Sequence, residues 1–170
     1  MSIIIFSRPV RSGKTSELQY WCSTQKNTSG ILMPDVNGKR MLLDIRSGIL
    51  SEIECDDPVN SKFALQAVGK YFFYASAFEK ANSILLKESA TGNGTGYCMV
   101  IIDEVGKLEL QSMGLYEATK NLLENRDYKT SQKNLLLVVR DSLYQQVVSF
   151  FKITDHILIR HLTEIPPVDG

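Results

Sequence analysis

The chain has 170 residues, 19 Lys and Arg against 19 Asp and Glu, and 44% hydrophobic and 22% charged side chains. That length and mixture suit one globular domain with a full core, and exclude intrinsic disorder, collagen-like repeats and coiled coil. A formal net charge of zero removes the field that would draw the whole molecule to a polyanion; this argues against an extended nucleic-acid surface and requires any anion site to be built locally.

Ile3-Ile4-Ile5-Phe6 is a continuous apolar run with β-branched residues, the pattern of a strand covered on both faces in a parallel sheet. A polar turn follows, and residues 14–25 predict a helix with Leu18, Trp21 and Cys22 on one face. Strands over 31–36 and 39–45 meet at Asn37-Gly38, a strong hairpin signal because both residues tolerate positive φ. Ser47-Gly48 turns the chain into a further strand at 49–54, so an antiparallel meander follows the first strand–helix unit. Asp56-Asp57-Pro58 breaks that pattern, residues 68–74 predict one short strand, and 77–89 predict a helix carrying Phe78, Ala81, Ile84 and Leu85. The glycine-alternating stretch 91–96 precedes a strand instead of following one, so it reads as a flexible connection and not as a dinucleotide fingerprint. Buried strands at 97–102 and 135–139, helices at 113–123 and 142–151, and a last strand at 157–159 complete the chain. The alternation predicts an α/β fold, mostly parallel with an antiparallel addition, in a single domain over 1–170.

The 3 cysteines, Cys22, Cys55 and Cys98, are odd in number and widely spaced, which fits neither a disulfide framework nor a C-x-x-C site and points to a reducing cytoplasm. The first apolar run is too short for a signal-peptide core, and no stretch approaches the roughly 20 apolar residues of a membrane span. His156 and His161 lack the carboxylate or cysteine pattern of a metal site.

The octet Arg8-Pro9-Val10-Arg11-Ser12-Gly13-Lys14-Thr15 lies between the first strand and the first helix, the context a phosphate-binding P-loop requires. Loop amides and the helix N-terminus would face phosphate oxygens, Lys14 would bridge the β- and γ-phosphates, and the Thr15 hydroxyl would bind Mg²⁺. Gly13 lets the backbone approach, whereas Arg8 stands where the consensus has its first glycine. Met99-Val100-Ile101-Ile102-Asp103-Glu104 ends an apolar strand in two carboxylates. Beside the first strand, such a run would bring Asp103 to the Mg²⁺ shell and Glu104 to the attacking water.

Asp103-Glu104-Val105-Gly106-Lys107-Leu108-Glu109-Leu110 resembles the D-E-[IV]-G-x-[ML]-E-L signature of the THEP1-type nucleoside-triphosphatases, P-loop proteins related to nucleotide kinases. Gly30 to Val36 with Gly38-Lys39-Arg40, and Val68-Gly69-Lys70-Tyr71 with Ala77-Phe78-Glu79, are similar to further family segments; Arg140-Asp141-Ser142 is a weaker echo. The chain departs from the family at Arg8 and Arg11, where glycines are usual, and at Met33, where threonine is usual. The resemblance implies a three-layer P-loop fold and Mg²⁺-dependent hydrolysis of nucleoside triphosphates, slow and broad in base preference. It implies nucleotide contacts from Pro9, Val10, Arg11, Ser12, Gly13, Lys14, Thr15 and Ser16, metal contacts from Thr15 and Asp103, and catalysis by Glu104 and Lys14.

Arg8 and Arg11 flank the loop, and Arg8 is a candidate in-chain arginine finger. Lys120, Arg126, Lys129 and Lys133 form a loose basic set that fits either a lid or a solvated surface. Tyr71 to Tyr74 read as core packing, with a stack on a nucleobase as the functional alternative. A nucleotide or nucleoside kinase, or a nucleotide-sensing module with little turnover, are the competing functions; the scattered cysteines cannot build the zinc lasso of a thymidine-kinase-like protein.

Overall fold

The central strands are buried on both faces because both of their alternating sets of side chains are apolar. The computed structural model describes residues 2–25, 27–90, 99–125 and 133–166; the expected connection at 91–96 and the loop cations Arg126 and Lys129 lie outside the described residues. In chain order the elements are β1 (Ile3–Arg8), α1 (Lys14–Thr24), β2 (Thr28–Leu32), β3 (Asp35–Val36), β4 (Lys39–Asp44), β5 (Leu50–Glu52), β6 (Leu65–Val68), β7 (Tyr71–Tyr74), α2 (Ala75–Ala90), β8 (Met99–Val105), α3 (Tyr116–Glu124), β9 (Asn134–Arg140), α4 (Tyr144–Phe150) and β10 (Ile157–Ile159).

The main sheet runs β10-β1-β9-β8-β2-β4-β3, with β5 paired to β4. The pairs from β10 to β2 are parallel, and those involving β4 are antiparallel. This is the expected mostly parallel α/β sheet with a meander on one flank. Side chains alternate between two cores. Ile5, Ile102 and Leu137 face Phe78 and Leu85 of α2, Leu122 of α3 and Val147 of α4; Ile4, Phe6, Ile101 and Leu136 face Leu18 and Cys22 of α1. Helices therefore cover both faces, and truncating one such side chain to Ala is expected to cost about 2–5 kcal/mol.

The hairpin turn falls at Asn37 (φ 56°) and Gly38 (φ 80°), as the dipeptide predicts. Other expectations are revised. The segment expected as one strand over 31–36 is two, β2 and β3, interrupted at Met33-Pro34, where the chain leaves the parallel sheet. The strand expected over 68–74 is a hairpin, β6 and β7, forming a separate two-stranded sheet around Gly69 and Lys70. The Asp103 strand was expected beside the first strand, yet β9 lies between them, paired with β1 on one side and β8 on the other. All three are parallel, so the C-terminal ends of β1, β9 and β8 still open on one edge of the sheet, where open α/β sheets form their ligand crevices.

Gly30 shows how tightly that centre is assembled. At φ 102° it lies against β8 so closely that a Cβ would sit 2.1 Å from the Ile101 carbonyl oxygen. Only glycine fits there.

Candidate active site

The loop after β1 turns twice through the left-handed region, at Arg11 (φ 59°) and at Gly13 (φ 80°), the residue that caps α1. Arg11 bears a strain on the order of 1 kcal/mol for that conformation. Arg8 needs no such turn: it ends β1 in register with Arg140, so a side chain is tolerated at the place of the usual glycine. Lys14, in the first turn of α1, is buried and donates from Nζ to the carbonyl oxygens of Arg8 (3.1 Å) and Pro9 (2.8 Å). Burial holds its pKa below the ordinary lysine value, against the raising effect of Glu104 and Asp103.

Asp103 and Glu104 are consecutive, yet the backbone gives them different surroundings. The β8–β9 register shifts between Ile102 and Val105, and Glu104 adopts φ 65°. Such a bulge re-aims side chains at a sheet edge, and a left-handed non-glycine residue is a strain that clusters at functional sites. Asp103 is fully buried, and its Oδ2 accepts the Met33 N–H at 3.0 Å while Oδ1 has no hydrogen-bond partner. Burial, then the charge of Glu104, pushes its pKa up to about 6, opposed by the Met33 N–H, the Thr15 hydroxyl and Arg40.

Glu104 instead lies between two guanidinium groups. Oε1 accepts from Arg40 Nη1 at 3.0 Å and Oε2 from Arg140 Nη2 at 3.1 Å. Burial alone would raise its pKa, but the charges and hydrogen bonds of Arg40 and Arg140 outweigh it and hold the carboxyl below its ordinary range. Arg40 comes from β4 and also donates to the Met33 carbonyl at 3.0 Å; Arg140 ends β9. Neither was singled out from the sequence for the site, although Arg40 closes the Gly38-Lys39-Arg40 segment and Arg140 opens the weaker echo.

The Asp103 carboxyl, with one oxygen orphaned, and the Thr15 hydroxyl beside it make a donor set that fits a hard divalent cation. Among the described residues there is no cluster of three His, Cys, Asp or Glu, so phosphate and water would complete the shell, as Mg²⁺ prefers. His156 is bonded to the Tyr144 hydroxyl at 2.7 Å, and His161 caps the turn at Leu162–Glu164.

Arg8 does not join this arrangement. Its guanidinium pairs with Glu17 and lies 4.8 Å from the centroid of the Phe6 ring, and neither Arg8 nor Pro9 lines the cavity. Residues 10–16 do line it, with Glu104, Arg40 and Arg140. Of the basic set, Lys120 lies over the Tyr116 ring at 5.7 Å and Lys133 donates to the Glu88 carbonyl at 2.8 Å.

Behind Glu104 the chain is held by Glu109. Its Oε2 accepts the Gly106 N–H at 2.7 Å and its Oε1 the Leu115 N–H at 2.9 Å. One buried carboxylate thus ties together both ends of the 106–115 turn. The cavity in front measures about 460 Å³, within the range of small-molecule sites, and extends from the loop past Glu104 to Val68, Tyr71, Phe73 and Phe78.

A strand–loop–helix bearing Lys14 and Thr15, with Glu104 across the cavity and Asp103 buried beside Thr15 at the end of a parallel strand, defines a phosphate-binding α/β protein of the P-loop class. Within that class, the NTPase family model matches residues 7–165, and the chain belongs to this family of nucleoside triphosphatases, hydrolases acting on phosphoanhydride bonds. Among solved structures it is similar to the crystal structure of THEP1 from the hyperthermophile Aquifex aeolicus, with TM-score 0.69 and 21% identity over 97% of this chain and 92% of that one. It is also similar to the solution structure of a human cancer-related nucleoside triphosphatase, with TM-score 0.66 and 18% identity over 96% and 90% of the two chains. At such identities the two structures attest the fold. No curated protein sequence matches the chain.

Proposed function

We propose that triphosphate hydrolysis occurs between residues 10–16 and Glu104, with the phosphate chain on the loop and its terminal phosphate toward Glu104. The N–H groups at the start of α1 would face the phosphates, and Lys14 would exchange its carbonyl partners for the more strongly bonding phosphate oxygens. Thr15 and Asp103 would hold Mg²⁺, which when bound neutralises charge on the phosphate oxygens. Glu104, kept ionised by its two arginines, accepts a hydrogen bond from the attacking water and aligns it. Arg40 and Arg140, and not Arg8, offset the negative charge spread over the transferring group. The family resemblance supports slow turnover with broad base preference, and the two free, buried cysteines among the described residues support a cytoplasmic setting.

The observation that carries this reading is the position of Glu104: a carboxylate clamped by Arg40 at 3.0 Å and Arg140 at 3.1 Å in the cavity that residues 10–16 also line. Phosphate release from ATP, GTP, CTP and UTP, with Mg²⁺ and with EDTA, tests it. Lys14→Ala is expected to abolish detectable binding, and Glu104→Gln to lower kcat by about 10²–10⁴ at retained affinity. Release that survives in both variants would refute the site, and tight binding with no release in the wild type would favour the sensor.

A further inference from the structure

The cavity does not end at Glu104. Arg40, which holds Glu104, also donates its backbone N–H to Glu54 Oε2 at 2.9 Å, and Glu54 is bridged to Phe73 of β7. From there the wall is aromatic. Tyr71 and Phe73 are stacked with centroids 6.4 Å apart and planes at 23°, and Phe73 meets Phe78 edge-on at 6.0 Å. Tyr71 is 42% exposed, so the end of this ladder is open to a further ring. The order β1-β9-β8-β2-β4 puts the phosphate loop on one flank of Glu104 and this wall, reached through β4, on the other.

On the proposed reading, the terminal phosphate faces Glu104, so the triphosphate's own base lies a full phosphate chain away on the loop side. The aromatic wall then occupies the side from which a nucleophile approaches. We infer that this lobe binds a second molecule, a nucleoside or nucleoside monophosphate whose planar ring stacks on Tyr71 and Phe73, and that the chain transfers the terminal phosphoryl group to it in competition with water. Base–aromatic stacking is tolerant of sequence and needs only a π-face, and Glu54 adds an acceptor for a ring N–H or sugar hydroxyl. In the step, an acceptor oxygen lone pair forms the new O–P bond. The bond between the γ-phosphorus and the bridging oxygen breaks, its electron pair leaving with the diphosphate, and a hydroxyl proton, where present, passes to Glu104.

The test is transfer of label from γ-³²P-labelled nucleoside triphosphate, with Mg²⁺, to each common nucleoside and nucleoside monophosphate, separating labelled acceptor from free phosphate. At least one of the two acceptor classes should become labelled, and the two sets show which. Tyr71→Ala, at an exposed position, should raise the acceptor KM about tenfold, the loss of one stack, and change the triphosphate KM much less; Val68→Trp, which fills the lobe, should do the same. Lys14-dependent phosphate release with no labelled acceptor of either class would overturn the inference while leaving the hydrolytic site standing. Weaker binding of nucleoside triphosphate but not of inorganic tripolyphosphate in Tyr71→Ala would overturn it too, by assigning the wall to the triphosphate's own base. Release that persists in both Lys14→Ala and Glu104→Gln would instead remove the reading on which the inference rests.

Discussion

Replacing Glu109 by Gln removes one acceptor oxygen from a buried site that uses two. In the wild type, the Gly106 and Leu115 N–H groups each meet a carboxylate oxygen, at 2.7 and 2.9 Å. Gln satisfies one and turns an NH₂ group toward the other, leaving a buried donor without an acceptor at a cost of about 1–3 kcal/mol. For a chain of this size each kcal/mol moves Tm by about 2–4 °C, so melting should fall by roughly 2–12 °C. The pH dependence has a definite sign. Burial raises the folded-state pKa of Glu109 above its ordinary 4.5, with the Leu115 and Gly106 N–H bonds opposing it. Stability from this group is therefore complete below pH 4.5 and lost as pH rises through the folded value. Gln does not titrate, so the gap between wild type and variant should narrow from acid pH toward neutrality. Urea titrations of both proteins at several pH values measure this directly. Equal stability at every pH would refute the argument that both oxygens are in use, and a constant nonzero gap would refute the pH reasoning.

Gly30→Ala should destabilise by more than about 3 kcal/mol in urea, since the new Cβ meets the Ile101 backbone and not a side chain that can move. Arg8→Ala should cost only about 0.5–1 kcal/mol and leave kcat within about threefold, because its Glu17 partner is partly exposed. Arg140→Ala should lower kcat by about 10²–10³; equal losses in the two variants would show that Arg8, too, acts on phosphate. The Cys22 thiol, its pKa pushed up to about 12 by burial, should react with iodoacetamide at pH 8 at least about tenfold more slowly in the folded protein than in urea, as peptide mass spectrometry would show.

How much of this was legible in the sequence depended on whether neighbours in space are neighbours in the chain. Lys14 with Thr15, and Asp103 with Glu104, are contiguous, and each pair follows an apolar run, so the pattern alone predicts the sheet edge that they share. Arg40 and Arg140 reach Glu104 from 64 and 36 residues away, and no local spacing encodes such a convergence. Arg8 looked free because its partner is nine positions on; the turn of α1 brings Glu17 back to it. The insertion of β9 between β1 and β8 was hidden because every buried parallel strand shows the same apolar run, whatever its neighbours. The β6–β7 hairpin reads as one strand from the sequence because its turn, Gly69-Lys70, is flanked directly by Val68 and by the aromatic run Tyr71 to Tyr74, and that run's exposed end reads as core for the same reason.

The place of β9 has a consequence for control. Enzymes that split nucleoside triphosphates often wait for another protein to bring the arginine that completes the reaction centre, and that arrival times the reaction. Here Arg140 ends the strand wedged between the loop strand and the acidic strand. On the reading proposed, each molecule carries its arginine from the moment it folds. Its rate would then follow substrate concentration and the chain's own motions, as in a housekeeping catalyst, and not the comings and goings of an activator.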